Sequence, residues 1–369
     1  MKTKKWLAVA LSSVMTLGMV AFGGCAEDGE GSDNSGAADV TVYMPDGAPA
    51  MAFAKLMAED TEQDGVTYRV VNPAVIATKV TNSDMSKNAD LCALPLTAAS
   101  KLLGTGEKYQ MMGVVTNGNL CVLSKDEAFS AAVVAGEYKD LSYLVGKTVG
   151  VMQINNVPGL TFKSILDEYG LEWQVLGNDG SVAADKVNLK AIADATAIDP
   201  TDENVTCYVV AEPAASVQVK KNAFEKVCSL DLLYNGGEVI EDCTGQTFLG
   251  YPQAVLVAKK SLVEAKTEWI NSFLDDLSAS TEALYTDWAN GETIVSAVTA
   301  HQEDPAYKTT LNATVLSRDV IAACAARFTG NSIAMSAVNA YLARVIAVDA
   351  ASAKAVSEGF FYQGWTAKN

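Results

Sequence analysis

The stretch from Ala89 to Gly104, ADLCALPLTAASKLLG, decides the fold class. It begins with an apolar run typical of a buried strand, reaches Pro95, and continues from about Thr97 in a helical pattern that stops at Gly104. A strand followed directly by a turn and a helix is the building unit of α/β proteins with largely parallel sheets.

The same unit recurs on both sides of this stretch. Asn117-Gly-Asn119 leads into a strand that we interpret as the crossing into a second lobe, and the apolar run at 254–258 as the return. The sequence therefore predicts a discontinuous lobe I (residues 40–119 plus 254–369) and a lobe II (residues 120–253), with the end of the chain largely helical. Further strands are predicted at 39–44, 68–71, 109–115, 120–124, 144–152, 172–176 and 205–211.

The N-terminus has the pattern of an export signal. Three lysines precede an apolar run, Trp6 to Phe22, which ends at Gly23-Gly24-Cys25. We predict a signal peptide at 1–24, lipidation of Cys25, and a flexible tether at 25–39 made of residues with little to bury. The protein would then be extracytoplasmic and anchored to the cell membrane through lipid only. A plain signal peptide and an uncleaved anchor are the alternatives.

Composition excludes several classes of partner. The chain has 27 basic and 44 acidic residues, a formal net charge of −17, which disfavours nucleic acid. His301 is the single histidine and no Cys-x-x-Cys occurs, so we expect no metal site and no cofactor. The sequence also contains neither a phosphate loop nor a nucleophile elbow, so we expect no catalytic residues. Cys228 and Cys243 could pair or stay reduced.

Five fragments in order carry a resemblance to a known family. They are residues 44–50 (MPDGAPA), 89–102 (ADLCALPLTAASKL), 118–124 (GNLCVLS), 144–151 (LVGKTVGV) and 210–213 (VAEP). Together they resemble the substrate-binding proteins of ABC importers for alkanesulfonates, nitrate and thiamine-pyrimidine precursors. The resemblance implies a two-lobed α/β fold of the periplasmic-binding-protein-like type II, with two hinge crossings and a helical C-terminal part.

The resemblance also implies a function. It indicates a monomer that captures a small-molecule ligand in the cleft between the lobes and delivers it to an ABC permease. A ligand sensor for a membrane partner shares the same features, and an enzyme related to pyrimidine biosynthesis is a further alternative.

Candidate ligand-binding residues lie where ligands bind in open α/β sheets, beyond the carboxyl ends of the strands. Asp46 and Thr97 could instead cap helices, Glu212 could begin one, the asparagines could form ordinary turns, and Tyr251 could pack across the hinge or stack on a ligand ring. The candidates are Asp46, Gly47, Ala48, Thr97, Ala98, Asn117, Asn119, Gln153, Asn155, Asn156, Thr161, Glu212 and Tyr251.

These loops also predict the charge of the ligand. They contain the carboxylates of Asp46 and Glu212 and several amides, but no lysine or arginine. We therefore expect a neutral or amine-bearing ring that donates hydrogen bonds to these carboxylates and stacks near Tyr251. A basic residue from elsewhere in the chain could still reach the cleft.

Overall fold

The structure is a computed structural model that describes residues 40–60, 65–240 and 248–367. The predicted signal peptide, Cys25 and the tether lie outside these residues, as does Cys243 with the question of its pairing to Cys228.

Two mixed sheets of six strands each form the framework. The first has the order β12-β4-β11-β3-β1-β2 and the second β10-β5-β9-β6-β8-β7. The strands are β1 (Val40–Pro45), β2 (Val66–Val71), β3 (Leu91–Pro95), β4 (Tyr109–Thr116), β5 (Leu120–Ser124), β6 (Thr148–Met152), β7 (Trp173–Val175), β8 (Val187–Ile192), β9 (Val205–Ala211), β10 (Glu225–Ser229), β11 (Ala254–Lys259) and β12 (Ala326–Gly330).

Helices connect the strands and cover the sheets. Pro158 lies in the first turn of α5, as its fixed φ favours. The helices are α1 (Ala48–Ala52), α2 (Ala54–Ala58), α3 (Leu96–Leu103), α4 (Glu127–Ala135), α5 (Val157–Glu168), α6 (Ala214–Asn222), α7 (Leu230–Tyr234), α8 (Lys260–Ala265), α9 (Thr267–Ala283), α10 (Gly291–Ala300), α11 (Arg318–Ala323) and α12 (Asn331–Val348).

The central strands are buried on both faces, which explains their continuous apolar runs. All six residues of β11 are buried between β3 and β4, to which it pairs antiparallel. The parallel pairs β1–β2, β1–β3, β6–β8 and β6–β9 lie beside these antiparallel crossings. The predicted α/β fold with two sheets is confirmed.

The sequence did not predict three of the strands, β8, β10 and β12. The C-terminal part is not wholly helical, because β12 pairs with β4 at the edge of the first sheet. β10 is half polar and joins the second sheet beside β5, while β8 pairs with β6. An alternation of apolar and polar residues over only five or six positions is a weak signal, and such strands form because a neighbouring strand offers free backbone groups.

The strands of the first sheet all fall within residues 40–119 and 254–369, and those of the second within 120–253. We use lobe I and lobe II for the parts built on the first and the second sheet. One apolar cluster runs through both lobes, joining Leu94 and Met111 of lobe I to Val149 and Phe162 of lobe II.

α12 contributes to this shared cluster. By length and composition it is the one helix among the described residues that could cross a membrane. It packs against α5 and β4, and Val338, Tyr341 and Val345 are buried. A helix that covers a core passes the same test of length and composition.

Candidate functional site

The carboxyl ends of the parallel strands lie at the edges from which the chain crosses between lobes. In the first sheet, Ala254 pairs with both Pro95 at the end of β3 and Thr116 at the end of β4. In the second sheet, Leu120 at the start of β5 pairs with Ala211 at the end of β9. The loops that follow β1, β3, β6 and β9 therefore leave their sheets beside the crossing.

The first crossing, Asn117 to Asn119, is hydrogen-bonded to both lobes. The Nδ2 group of Asn117 donates to the carbonyl of Arg327 at 2.8 Å. The Nδ2 group of Asn119 donates to the carbonyl of Glu212 at 2.8 Å, and the Glu212 amide donates back to the Asn119 carbonyl at 2.8 Å. Side chains that looked like ordinary turn residues thus position the hinge.

Gly118, between these asparagines, needs to be glycine for two reasons. Its φ of +89° lies in the region that disfavours side chains, and a Cβ there would lie 2.6 Å from Cε1 of Tyr251. Tyr251 is fully buried, so its ring has little room to retreat.

Gly118→Ala should therefore lower the free energy of unfolding by about 2 to 4 kcal/mol, combining backbone strain with overpacking. Gly170→Ala is the matched control, since Gly170 has a φ of +68° but nothing within 4 Å of a Cβ. This control should lower the free energy of unfolding by only about 1 to 2 kcal/mol. Urea denaturation of both variants measures the difference, and equal losses would show that the contact with Tyr251 is unimportant.

A cavity of about 590 Å³, the hinge cavity, opens beside this crossing, with walls from both lobes. Of the predicted site residues, Asn117, Asn119 and Glu212 line it. Sequence reasoning missed the other charged and aromatic lining residues, because they come from separate elements without a shared motif. These are Lys226, Asp231, Glu282, Tyr285 and Arg327.

Glu212 is the charged centre of the lobe II wall. The residue is 3% exposed, and its carboxylate accepts from the Ser216 amide at 3.0 Å and from the Ser216 hydroxyl at 3.1 Å. It also forms an ion pair with Lys226. Burial lowers the pKa of Lys226, but the hydrogen bond and charge of Glu212 outweigh it and hold the pKa above its usual value. The carboxylate is thus committed to the start of α6 and to Lys226.

Basic residues from outside the candidate loops do reach this cavity. Lys226 and Arg327 both line it, brought there by β10 and β12, the edge strands that the sequence did not reveal.

Asp46 does not cap α1. No side chain caps that helix, and Gly47 occupies the N-cap position. The buried Asp46 carboxylate instead accepts from the hydroxyl of Thr309 at 2.6 Å, and from the amide and the hydroxyl of Thr310, both at 2.7 Å. Burial and the charge of Asp46 raise the pKa of Tyr307 to about 12, so this phenol keeps its proton and donates to Asp46 at 3.3 Å.

Thr97 is likewise not a helix cap. α3 begins one residue earlier, at Leu96, with Pro95 before it, so Thr97 lies inside the first turn and is 7% exposed. Ala98 follows it, partly exposed. Ser100 donates to the Thr97 carbonyl at 2.9 Å.

The loop after β6 presents its amides to solvent. Gln153, Asn155 and Asn156 are exposed, and Gln153 has a φ of +47°. Asn156 precedes α5 without a side-chain capping bond. These side chains do not line the hinge cavity, and their role in binding stays a prediction.

Thr161 and Tyr251 belong to the packing between lobes. The hydroxyls of Thr161 and Tyr341 lie 2.8 Å apart. Tyr251 stacks on Tyr341 with ring centroids 6.0 Å apart and an interplanar angle of 13°. One face of the Tyr251 ring is thus covered by Tyr341 of α12, which is the alternative of packing across the hinge.

The thiol at the cavity is buried and protonated, and the histidine lies elsewhere. Cys121 lines it, but burial raises the pKa of this thiol well above its ordinary value, and its Sγ donates to the Val210 carbonyl at 3.7 Å. His301 lies elsewhere, with Nε2 3.3 Å from a carboxylate oxygen of Asp60. Among the described residues, no group of three or more His, Cys, Asp or Glu side chains could hold a metal ion.

Comparison with known proteins yields no matching family model and no significantly similar curated protein. Solved structures do match over most of the chain. An ABC transporter structure from Parabacteroides distasonis is 17% identical with a TM-score of 0.62, covering 88% of this chain and 98% of that one. The fold is that of ABC-transporter periplasmic binding proteins.

Two further structures share this periplasmic-binding-protein fold. The aliphatic sulphonate binding protein SsuA from Escherichia coli is 12% identical with a TM-score of 0.54, covering 88% of this chain and 92% of that one. The ligand-binding component of an ABC-type import system from Staphylococcus aureus, with zinc bound, is 12% identical with a TM-score of 0.51, covering 88% and 96%. The predicted type II fold is confirmed, and at these identities the likeness is one of fold.

Proposed function

We propose that this chain is the substrate-binding component of an ABC importer, which captures a small organic molecule between its lobes and delivers it to a permease. The observation that carries the proposal is the cavity of about 590 Å³ at the crossing, whose walls come from both lobes. Its size is within the range of about 300 to 1,000 Å³ found for small-molecule sites. Charged and polar side chains from both lobes line it, together with small apolar ones.

The position of the cavity suits a protein that closes on its ligand. A ligand shifts an equilibrium between open and closed arrangements only if it contacts the two states differently. Glu212, directly after β9 of lobe II, and Arg327, in β12 of lobe I, both line the cavity. A molecule that contacts both residues favours closure about Gly118.

Native mass spectrometry tests the proposal. Protein purified under gentle conditions should carry a bound small molecule, and protein that has been unfolded, washed and refolded should have lost it. Restoring the recovered molecule should reduce the radius of gyration in small-angle scattering, because the lobes close. The proposal fails if the protein purified from its cells of origin carries no bound molecule and if no cell extract supplies one.

We further propose that the protein acts outside the cytoplasm, held to the membrane through lipid on Cys25. Cys25→Ser should move the protein from the membrane fraction to the soluble fraction, because lipid chains are the anchor that the tether offers. Asp33→Ser, also in the tether, is the matched control and should stay with the membrane. Cell fractionation with metabolic lipid labelling measures both, and membrane retention of the unlabelled serine variant would contradict the assignment.

A further inference from the structure

Among the described residues, two buried polar atoms at the first crossing have no hydrogen-bond partner. Asn117 is 1% exposed and Asn119 is 6% exposed, and no donor among the described residues reaches the Oδ1 atom of either. A buried carbonyl without a donor is unfavourable, and most buried polar groups in folded proteins have a partner. Both residues line the hinge cavity.

The Nδ2 group of each side chain determines the orientation of its amide. Each Nδ2 donates to a backbone carbonyl at 2.8 Å, Asn117 to Arg327 and Asn119 to Glu212. Rotating either amide by 180° would place two oxygens together. The group left without a partner is therefore an acceptor at both positions, and what the crossing lacks is a donor.

In the described part of the chain, no side chain that lines the cavity donates to either oxygen. Lys226 is engaged by Glu212, which also takes both donors of Ser216. Three carboxylates, Glu212, Asp231 and Glu282, line the cavity against the two basic residues. The surroundings thus favour a donor that is neutral or positive over an anion.

We propose that the molecule bound at the hinge carries N–H donors, as in an amine, amidine, guanidine or amino-substituted ring, and that these donors reach Asn117 Oδ1 and Asn119 Oδ1. This inference rests on the proposed function and names its ligand class. Both oxygens are closed to solvent in the present arrangement. Rotation about Gly118, which lies between them, opens them to the cavity, and closure then encloses the donor with its acceptors.

Four defined probes test the inference by calorimetry and thermal shift. Agmatine and cytosine carry N–H donors, whereas ethanesulfonate and nitrate offer only acceptors. We expect agmatine or cytosine to bind, and Asn117→Leu and Asn119→Leu to weaken that binding at least roughly tenfold, as loss of a buried hydrogen bond does.

Asn331→Leu is the matched control. Asn331 is 4% exposed, its Nδ2 donates to the carbonyls of Met111 and Tyr362, both at 2.7 Å, and its Oδ1 also lacks a partner among the described residues. It does not line the hinge cavity. This variant should lose stability like the other two but keep the affinity of the parent.

The outcomes separate the ligand class from the function. Binding of ethanesulfonate or nitrate without binding of either nitrogen compound overturns the inference and supports the proposed function. Binding of none of the four also overturns the inference, and mass spectrometry on the parent protein then decides the function. An equal loss of affinity in Asn331→Leu overturns the inference too, because the asparagines would then act only through stability.

Discussion

Replacing Tyr341 by alanine is expected to lower the free energy of unfolding by about 3 to 5 kcal/mol, as for other large buried aromatic side chains. Tyr341 is fully buried in α12 and stacks on Tyr251, with Tyr234 6.3 Å away between ring centroids. Its hydroxyl is hydrogen-bonded to the hydroxyl of Thr161 in α5. Truncation leaves a cavity where the two lobes share one core, so both lobes lose contacts.

Tyr341→Phe is the control for this prediction. It keeps the ring and removes only the bond to Thr161, whose hydroxyl still donates to the Val157 carbonyl at 2.7 Å. We expect a loss of about 0.5 to 1.5 kcal/mol. Urea denaturation measures both variants. Similar losses for alanine and phenylalanine would mean that the hydroxyl, and not the ring, holds the lobes together.

Asp46→Ala should lower the free energy of unfolding by about 2 to 4 kcal/mol. The carboxylate is 5% exposed and holds the loop at 307–310 by three bonds of 2.7 Å or shorter, to Thr309 and Thr310. Hydrogen bonds to charged groups contribute about 1.5 to 3 kcal/mol each, and the partly exposed threonines recover some of this in water. The loop should then detach from the end of β1.

Hydrogen exchange at the Thr310 amide reports this detachment directly, alongside urea denaturation. Asp304→Ala is the matched control, because exposed Asp304, just before this loop, accepts one side-chain bond, from the Ala306 amide at 2.9 Å. It should change stability by about 0.5 kcal/mol or less. Unchanged protection of Thr310 in Asp46→Ala would show that the loop is held by other contacts.

The sequence by itself determined the class of fold. Strands buried on both faces must be continuously apolar, and glycine and proline mark their ends, so β3, β9 and β11 are legible without coordinates. The two crossings follow from the same patterns. Asn117 and Asn119 were found because residues in a turn between buried strands must lie at the hinge, although their free oxygens could not be foreseen.

Only the tertiary structure decided the partners of the candidate residues. Thr310 meets Asp46 from 264 positions along the chain, and Lys226 meets Glu212 because β10 joins the sheet beside β5. Tyr341 covers the ring of Tyr251 in the same way. A local pattern records which face of an element is buried, but hydrogen-bond partners depend on how two sheets and their edge strands assemble, which short-range periodicity does not encode.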